Sequence, residues 1–468
     1  MVLWGSCPSR RKEHDVSTRS IRRARTFPAL AALVVLVLLV QPSTPAFAAV
    51  DGMTVNFALF GGTPTYRASG FIYGVSTNAS SPPLSTTDQI KVKVMRGGGS
   101  QIGCPNGGWV NGAYTPRWNF LRAYYNRAQR TGARVEMLLS ALWGSDGPCN
   151  VPRWPGDNGN WTDYTNFINR IIADVRAAGM TGSNVRWDMW NEPNIFFWGR
   201  SQAQYFEMIR RGTQQVRAAI PGAVILGPSC ACGPTNGWFA QYLDYVRANN
   251  VVPNILSWHA LPGDPAVDGT NARNMLAARG MSVQGFSVNE YGAFGAEQQP
   301  GPSAWYISRL ERCNCDGARA NWGNVGQTPS LYDTLGWLTT SNVGQTMGQW
   351  WVYKRYADQS GQRTNITPGS SHDGIVFQDS GARRSLAVYG ARAGGAQGAI
   401  DIRYNNIPSW LPTNGSVNVL VERMPSTNAF VGAPTVVSNG RRTVSANSLL
   451  VTINWTNAND AYAITLTA

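Results

Sequence analysis

The chain has 468 residues and a formal net charge of +14, carried almost wholly by arginine. Seven basic and two acidic residues lie in the first 48, so about +9 remains for the rest, where Lys91, Lys93 and Lys354 are the only lysines. The arginines are scattered, as in Arg210, Arg211 and Arg217, with no long basic run or nucleic-acid motif; they read as solvated helical faces, and no nucleic-acid partner is expected.

In chain order, Arg10, Arg11, Lys12, Arg19, Arg22, Arg23 and Arg25 precede an apolar run, Ala29 to Val40. The run is too short to span a bilayer, and Ala46-Phe47-Ala48 follows as a small-x-small cleavage site. Residues 1–48 therefore read as a secretory signal, with a mature start near Ala49 and an extracellular destination. Ser9-Arg10-Arg11 leaves a twin-arginine route open. No other stretch could cross a membrane, so no stable membrane association is expected after cleavage. The oligomeric state is not legible.

Met53 to Leu59 alternates as a strand, and Phe71 to Ser76 is a short buried one. Ile90 to Arg96 alternates and runs into Gly97-Gly98-Gly99. Thr115-Pro116 starts a helix over Arg117 to Arg130, and Ala133 to Trp143 is a β-rich strand. Thr162 caps a helix to Ala178 that leads into the strand Trp187 to Asn194. Ser201 caps another to Ala219, before the strand Ala223 to Pro228. Helix Gly237–Ala248, strand Ile255–Ala260, helix Thr270–Ala278 and the strand Gly285 to Gly292 continue the beat. Helices around Ala304–Arg312 and Leu331–Leu338, a strand Gly348–Tyr353 and a closing helix Ser385–Ala393 follow.

Short apolar strands alternating with longer helices imply a parallel sheet, and eight such strands from Tyr73 to Trp351 close a barrel. From Gly395 onward no helical period survives, and strands at Val417–Val421, Leu449–Ile453 and Ala461–Leu466 read as a small antiparallel sandwich. The expected fold is thus α/β: a (β/α)8 barrel over 65–394 and a β-sandwich over 395–468, joined by the amino-terminal strand of 51–64. A sugar-binding role for the tail, allowed by Trp410 and Trp455, is the other reading.

Six cysteines follow the leader: Cys104, Cys149, Cys230, Cys232, Cys313 and Cys315. An even count in an exported chain favours disulfides. With only His259 and His372 to support a metal, no metal or other cofactor is expected. Cys104 and Cys149 follow adjacent strands and are expected to pair. A bridge within Cys-x-Cys is strained, so cross-pairing of the two Cys-x-Cys motifs is the expected arrangement.

The chemistry centres on Trp187-Asp188-Met189-Trp190-Asn191-Glu192-Pro193-Asn194. Pro193 cannot donate to a ladder and ends the strand, which leaves Glu192 at a carboxyl end, where barrels place catalytic groups. Glu290 in Asn289-Glu290-Tyr291 is a second such carboxylate, on the seventh strand where Glu192 is on the fourth. Two carboxylates across a barrel mouth are the minimal equipment for glycoside hydrolysis, and a retaining enzyme holds them about 5–5.5 Å apart. Asn191 can place an amide toward a sugar hydroxyl. Asp188 lies deeper on the face of Glu192 and reads as structural, and Asp146 is the other acid near a strand end. His259 is as readily a structural residue as a site residue. Trp143, Trp198, Trp258 and Trp322 divide between core and sugar subsites, with Trp143 taken as a subsite.

These motifs resemble those of clan A retaining glycoside hydrolases, most of all family 39, over essentially the whole chain after the leader. The resemblance implies Glu192 as acid/base and Glu290 as nucleophile, with Arg96 keeping the nucleophile ionised. It also implies Trp350 or Trp351 as the sugar-stacking tryptophan on the eighth strand, with His259 and Tyr291 lining the sugar site. Gly374–Phe377 through Ala387–Tyr389 resembles the family's closing segment. The chain departs from the family where Ala260-Leu261 follow His259, since the xylosidases carry an aromatic two residues on, and where Cys230-Ala231-Cys232 alters the rim. The implied function is a secreted retaining glycosidase acting on plant or microbial oligo- or polysaccharide. The alternatives are a narrow β-xylosidase-type exo-enzyme and a barrel that binds carbohydrate without cleaving it.

Overall fold

The computed structural model describes residues 48–468, apart from 81, 103–106, 146–150, 236, 294, 297, 321–344 and 428. The expected signal segment through residue 47, Asp146, Cys104 with Cys149, Trp322 and the expected helix Leu331–Leu338 lie outside the described residues. No helix among those described is long and apolar enough to cross a membrane.

The first strand, β1 (Asp51–Phe60), buries Met53, Val55 and Phe57 in strict alternation. Eight parallel strands then close a barrel: β2 (Gly70–Ile72), β3 (Val94–Gly97), β4 (Arg134–Leu138), β5 (Val185–Asp188), β6 (Val224–Cys230), β7 (Ile255–Ala260), β8 (Gly285–Tyr291) and β9 (Cys315–Arg319). Between them run α1 (Leu84–Gln89), α2 (Tyr114–Thr131), α3 (Leu139–Trp143), α4 (Thr162–Ala177), α5 (Gln202–Ala219), α6 (Gly237–Ala248), α7 (Pro265–Ala277) and α8 (Pro300–Cys313), with α9 (Gly348–Ala357) after the last strand. The local causes are plain in the outer helices. In α4 the buried Tyr164, Phe167, Ile168, Ile171, Ile172 and Val175 recur every three or four residues, one stripe against the sheet. Ser201 Oγ accepts from Gln204 N at 3.2 Å to start α5, and Asp264 Oδ1 accepts from Ala266 N at 3.0 Å to start α7, with Pro265 at the first helical position.

Three expected elements take another form. The run Ala133–Trp143 splits into β4 and the single turn of α3. Gly348–Tyr353 is helical, because its buried set (Gln349, Trp350, Val352, Tyr353, Tyr356, Ala357) follows helical spacing. The eighth barrel strand is Cys315–Arg319 instead. This short segment carries no large apolar side chain, since its inward residue Asp316 joins a polar layer inside the barrel. Asp316 Oδ2 lies 2.6 Å from Arg186 Nη2 and 3.0 Å from Arg134 Nη1, while Arg186 Nη1 reaches Glu136 Oε1 at 3.0 Å.

Beyond α9 the chain forms β10 (Gln362–Thr367), β11 (His372–Asp379), β12 (Arg384–Ala391), β13 (Gly398–Asn405), β14 (Ser416–Met424), β15 (Thr435–Thr443), β16 (Leu449–Trp455) and β17 (Ala461–Thr467). With β1 they make a nine-stranded, mostly antiparallel sheet in the order β15-β14-β17-β12-β11-β10-β1-β13-β16. The carboxyl-terminal part of the sheet therefore begins at Gln362 and not at 395, and Ser385–Ala391 is strand where a helix was expected. Both halves of the sheet face one core, in which Val55, Ile400, Ile402 and Ile453 meet Val417, Val421 and Ile464. Trp455 is fully buried there, and Trp410 packs against its margin.

Cys313 is joined to Cys315, their Cα atoms 5.0 Å apart, whereas Cys230 and Cys232 carry thiols. The cross-pairing expected of these four does not occur, because Cys315 begins β9 and Cys230 ends β6. Parallel strands put those positions at opposite ends of the barrel.

Helix α8 welds barrel to sheet. Gly301 N donates to Asn459 O at 2.7 Å, and a Cβ on Gly301 would sit 2.4 Å from Ala458 O and 2.8 Å from Asp460 O. Both obstacles are backbone, so one element must move. Gly301→Ala should therefore cost about 1–3 kcal/mol, read as a lowered Tm; an unchanged melt would mean the joint yields freely. Removing residues 395–468 takes five of the nine strands and uncovers the core around Val55 and Ile366. That truncation should aggregate, and a soluble monomer melting like the full chain would contradict the weld.

Candidate active site

Arg96, at the third position of β3, is fully buried and points into the barrel mouth. Its Nε lies 2.7 Å from Asp188 Oδ2, its Nη1 2.6 Å from Glu290 Oε1, and its Nη2 donates to Asn191 Oδ1 at 2.8 Å. One guanidinium thus ties the end of β5 to the end of β8. Burial works against its charge, yet Asp188 and Glu290 hold its pKa above the ordinary arginine value.

Glu192 follows β5 with a left-handed φ of +42°, a conformation of order 1–3 kcal/mol above the usual basins. It persists because the loop is strapped to the segment after β6. Glu192 N donates to Ser229 O at 2.8 Å, Ala231 N to Asn194 Oδ1 at 2.8 Å, and Asn194 Nδ2 to Cys232 Sγ at 3.5 Å. The Cys230 and Cys232 sulfurs, 3.6 Å apart, sit in that strap.

His259 Nδ1 lies 2.9 Å from Glu192 Oε1 and 3.7 Å from Glu290 Oε2. An oxygen from each glutamate and this ring nitrogen all fall within 4.8 Å of one another. Such a cluster could seat a divalent cation, but the Arg96 charge beside Glu290 opposes one. Burial pushes the Glu192 carboxyl up to about 7, Arg96 pulling the other way. Burial also pushes His259 down to about 4 despite Glu290, so its ring is neutral at neutral pH. Glu290 is raised by burial, against the opposing pull of His259 and Arg96. The two carboxyls therefore differ in partner: a fixed cation on Glu290, a neutral imidazole on Glu192. The arrangement can hold one proton on Glu192 beside an anionic Glu290.

Two irregularities aim the side chains. Between β6 and β7 the register jumps from Pro228↔Ser257 to Cys230↔Trp258, leaving Ser229 extra, at φ +52°. Between β7 and β8 it jumps from Trp258↔Val288 to His259↔Glu290, leaving Asn289 extra. The second bulge lets Asn289 and Glu290, adjacent in sequence, both face inward. Both extra residues bind Asp188: Ser229 Oγ donates to Oδ1 at 2.8 Å, and Asn289 Nδ2 donates to Oδ2 at 3.1 Å. Asp188 is structural, as expected from its depth, but it orients Arg96 and so the whole site. Ser229 and Asn289 were missed because a bulge leaves no periodic trace.

Arg96, Asn191, Glu192, His259 and Glu290 thus converge. The aromatic candidates do not. Tyr291 turns outward, its hydroxyl donating to Ala68 O at 2.8 Å and meeting Tyr353 Oη at 2.7 Å. Trp143 is wholly buried against Tyr164 and Phe167. Trp350 Nε1 donates to Thr86 O at 3.2 Å and Trp351 Nε1 to Val431 O at 2.7 Å, both from α9, because the segment is a helix and not the eighth strand. Trp198 and Trp258 are core residues as well.

No protein-family model matches the chain. A curated relative, the 3-O-alpha-D-galactosyl-alpha-L-arabinofuranosidase of Bifidobacterium longum subsp. longum, is 24% identical over an alignment of 362 positions that covers 72% of this chain and 28% of that protein. The chain thus spans well under a third of that relative's length. Among solved structures, N2152 from Neocallimastix frontalis superposes with a TM-score of 0.74 at 25% identity, over 89% of this chain and 99% of that one. A monomeric β-xylosidase from Caulobacter crescentus CB15 gives 0.59 at 15% identity (89% and 99% covered), and the family 39 enzyme from Xanthomonas axonopodis pv. citri 0.58 at 14% (89% and 97%). The chain shares the fold of these structures.

Proposed function

We propose that the protein is a secreted, retaining glycoside hydrolase acting on plant or microbial oligo- or polysaccharide, with Glu290 as nucleophile and Glu192 as acid/base. The observation that carries this is the short gap between the two carboxylates, with oxygens within 4.8 Å, combined with their unequal partners. Carboxyls that close leave no room for the water an inverting enzyme activates. The Arg96 cation favours an anionic Glu290 facing the anomeric carbon. Neutral His259, with Nδ1 2.9 Å from Glu192 Oε1, adds no charge there, so Glu192 can carry the acid proton toward the glycosidic oxygen.

In the first step Glu290 forms a bond to the anomeric carbon as the bond to the leaving oxygen breaks, and that oxygen takes the proton of Glu192. Glu192, now ionised, then removes a proton from water, which attacks the anomeric carbon and releases Glu290. The net configuration is kept. Asn191 Oδ1 is engaged by Arg96, which turns its Nδ2 toward a sugar hydroxyl, a contact that strengthens in the transition state. The activity for which the bifidobacterial relative is named puts arabinofuranosides first in a panel of aryl glycosides, and the xylosidase neighbours put xylosides second.

The two glutamates should fail differently. Glu290→Gln should be at background on every substrate. Glu192→Ala should lose about 10²–10⁴-fold on alkyl or sugar leaving groups but retain glycosylation of a dinitrophenyl glycoside, with azide speeding its turnover. Inverted product by proton NMR, or azide rescue in the Glu290 variant instead, would overturn the assignment.

The pH profile supplies a separate check. With Glu192 at about 7, kcat/KM on a poor leaving group should fall as pH rises through that value, because the acid loses its proton. The alkaline limb should vanish in Glu192→Ala assayed on the dinitrophenyl glycoside; a limb that survives there belongs to another group.

A further inference from the structure

The strand β1 ends irregularly. Its register against β10 jumps from Asn56↔Asn365 to Phe60↔Thr364, so Phe57, Ala58 and Leu59 have no residue of β10 opposite them. Phe57 still reaches the core, but Leu59 and Phe60 turn to solvent, at 49% and 61% exposure. An irregularity of this kind re-aims side chains. Here it sets both residues beside a cleft of about 220 Å³, walled by the end of α8 and by β10 and β11. Helix α8 leads from the carboxyl end of β8 back to the amino end of β9. Its last turns, and the cleft with them, therefore lie at the face of the barrel opposite Glu192 and Glu290.

The charged groups of this cleft are unequally committed. Glu311 accepts from Thr65 Oγ1 at 2.9 Å and from Tyr356 Oη, and its other oxygen lies 3.3 Å from Arg363 Nη1. Arg312 is taken up by Asp373 at 2.6 Å and by Ile366 O at 2.9 Å. Arg363 is different. Its Nη1 also donates to Glu311 O at 2.7 Å, which fixes the guanidinium, while Nε and Nη2 have no hydrogen-bond partner among the described residues. That edge lies along Gly61, where a Cβ would fall 2.6 Å from Nε and 3.0 Å from Nη2. Asn365 shares a face of β10 with Arg363, and its exposed amide is likewise uncommitted among the described residues.

We propose that this cleft binds a uronic acid residue of an acidic polysaccharide through its carboxylate. The Nε–Nη2 edge of a guanidinium offers two parallel N–H groups, a paired contact with a carboxylate about twice as strong as neutral hydrogen bonds. Asn365 supplies both donors and an acceptor for ring hydroxyls. Phe60 and Leu59 supply an apolar surface for the C–H face of the ring. The volume takes a sugar ring and falls below the roughly 300–1,000 Å³ of sites for drug-sized ligands. The charge of the whole chain agrees, since about +9 beyond residue 48, spread without a basic run, attracts an anionic polymer. Lying away from the two glutamates, the cleft holds polymer and takes no part in bond cleavage. It goes beyond the hydrolase reading, and binding tests it without turnover.

The test is calorimetric titration with trigalacturonic acid at fixed ionic strength, with its methyl triester as the uncharged counterpart. The unmodified protein should bind the acid saturably, and the ester about tenfold more weakly or worse. Arg363→Gln should weaken binding of the acid about tenfold, and Phe60→Ala roughly three- to tenfold. Phe60 is exposed, so its variant keeps the fold and reads the cleft even where loss of the Arg363–Glu311 contact lowers Tm. Arg122→Gln removes the same charge from the exposed side of α2 and should change nothing. Absence of saturable binding, equal binding of the ester, or unaltered binding in Phe60→Ala overturns the proposal. So does an equal loss in Arg122→Gln and Arg363→Gln, which would leave only the net charge of the chain. Acetate displacing the trisaccharide at equal concentration overturns it as well, because the cleft would then read a carboxylate alone. Turnover of an aryl glycoside by a protein that fails these titrations would keep the hydrolase reading and remove this one.

Discussion

A single buried cation organises this molecule's business end. Arg96 distributes three hydrogen bonds among Asp188, Asn191 and Glu290, which come from the fourth and seventh strands of a closed barrel. Taking these charges out of water is unfavourable, and the interaction is net useful only while each partner is present. Losing one would strand the other charges at a cost of about 3–5 kcal/mol. The geometry of the two glutamates is therefore not adjustable piecemeal.

Asp188 is the counterpart that makes this possible. It takes the Nε of Arg96 and is itself gripped by Ser229 and Asn289, the two residues that the strand irregularities insert. Without the extra residue in β8, period-two alternation would put Asn289 and Glu290 on opposite faces of the sheet. The bulges thus do two things at once: they aim a carboxylate at the mouth and anchor the acid that holds the arginine. The left-handed backbone of Glu192 belongs to the same construction, fixed through its N–H to the carbonyl of Ser229.

Glu192 and Glu290 could be read from the sequence because each sits where an apolar strand meets a turn, and Asn-Glu-Pro is a specific context for one of them. Asn191 followed from its place beside Glu192, while Arg96 and His259 were implied by the resemblance to family 39. Register was not legible, since a one-residue bulge changes side-chain parity without altering composition. Nor was the eighth strand, because Asp316 and its arginine partners make the barrel's lower interior polar and strip the strand of its apolar signature. Aromatic residues misled for a related reason. Trp350 and Trp351 suit a strand or a helix equally by composition, and their destinations were decided by packing against Thr86 and Val431, far away in sequence. The strands β11 and β12 were absorbed into the barrel because they are buried on both faces, one against α8.

The place of β1 in the sheet has a consequence for how the molecule comes into being. It lies between β10 and β13, with Thr54 opposite Thr367 and Asp51 opposite Ile400, partners more than 300 residues downstream. Contacts so distant along the chain form late and slowly, since the loop they close is long and little rewards its closure until the neighbours are in place. As the polypeptide emerges, the barrel strands are all available before any partner of β1 exists. The opening strand therefore waits, its apolar Met53, Val55 and Phe57 uncovered, until nearly the whole chain has been made. Vectorial synthesis thus leaves a long interval in which this edge can pair wrongly or be held by a chaperone, and the arrival of β10 and then β13 ends it.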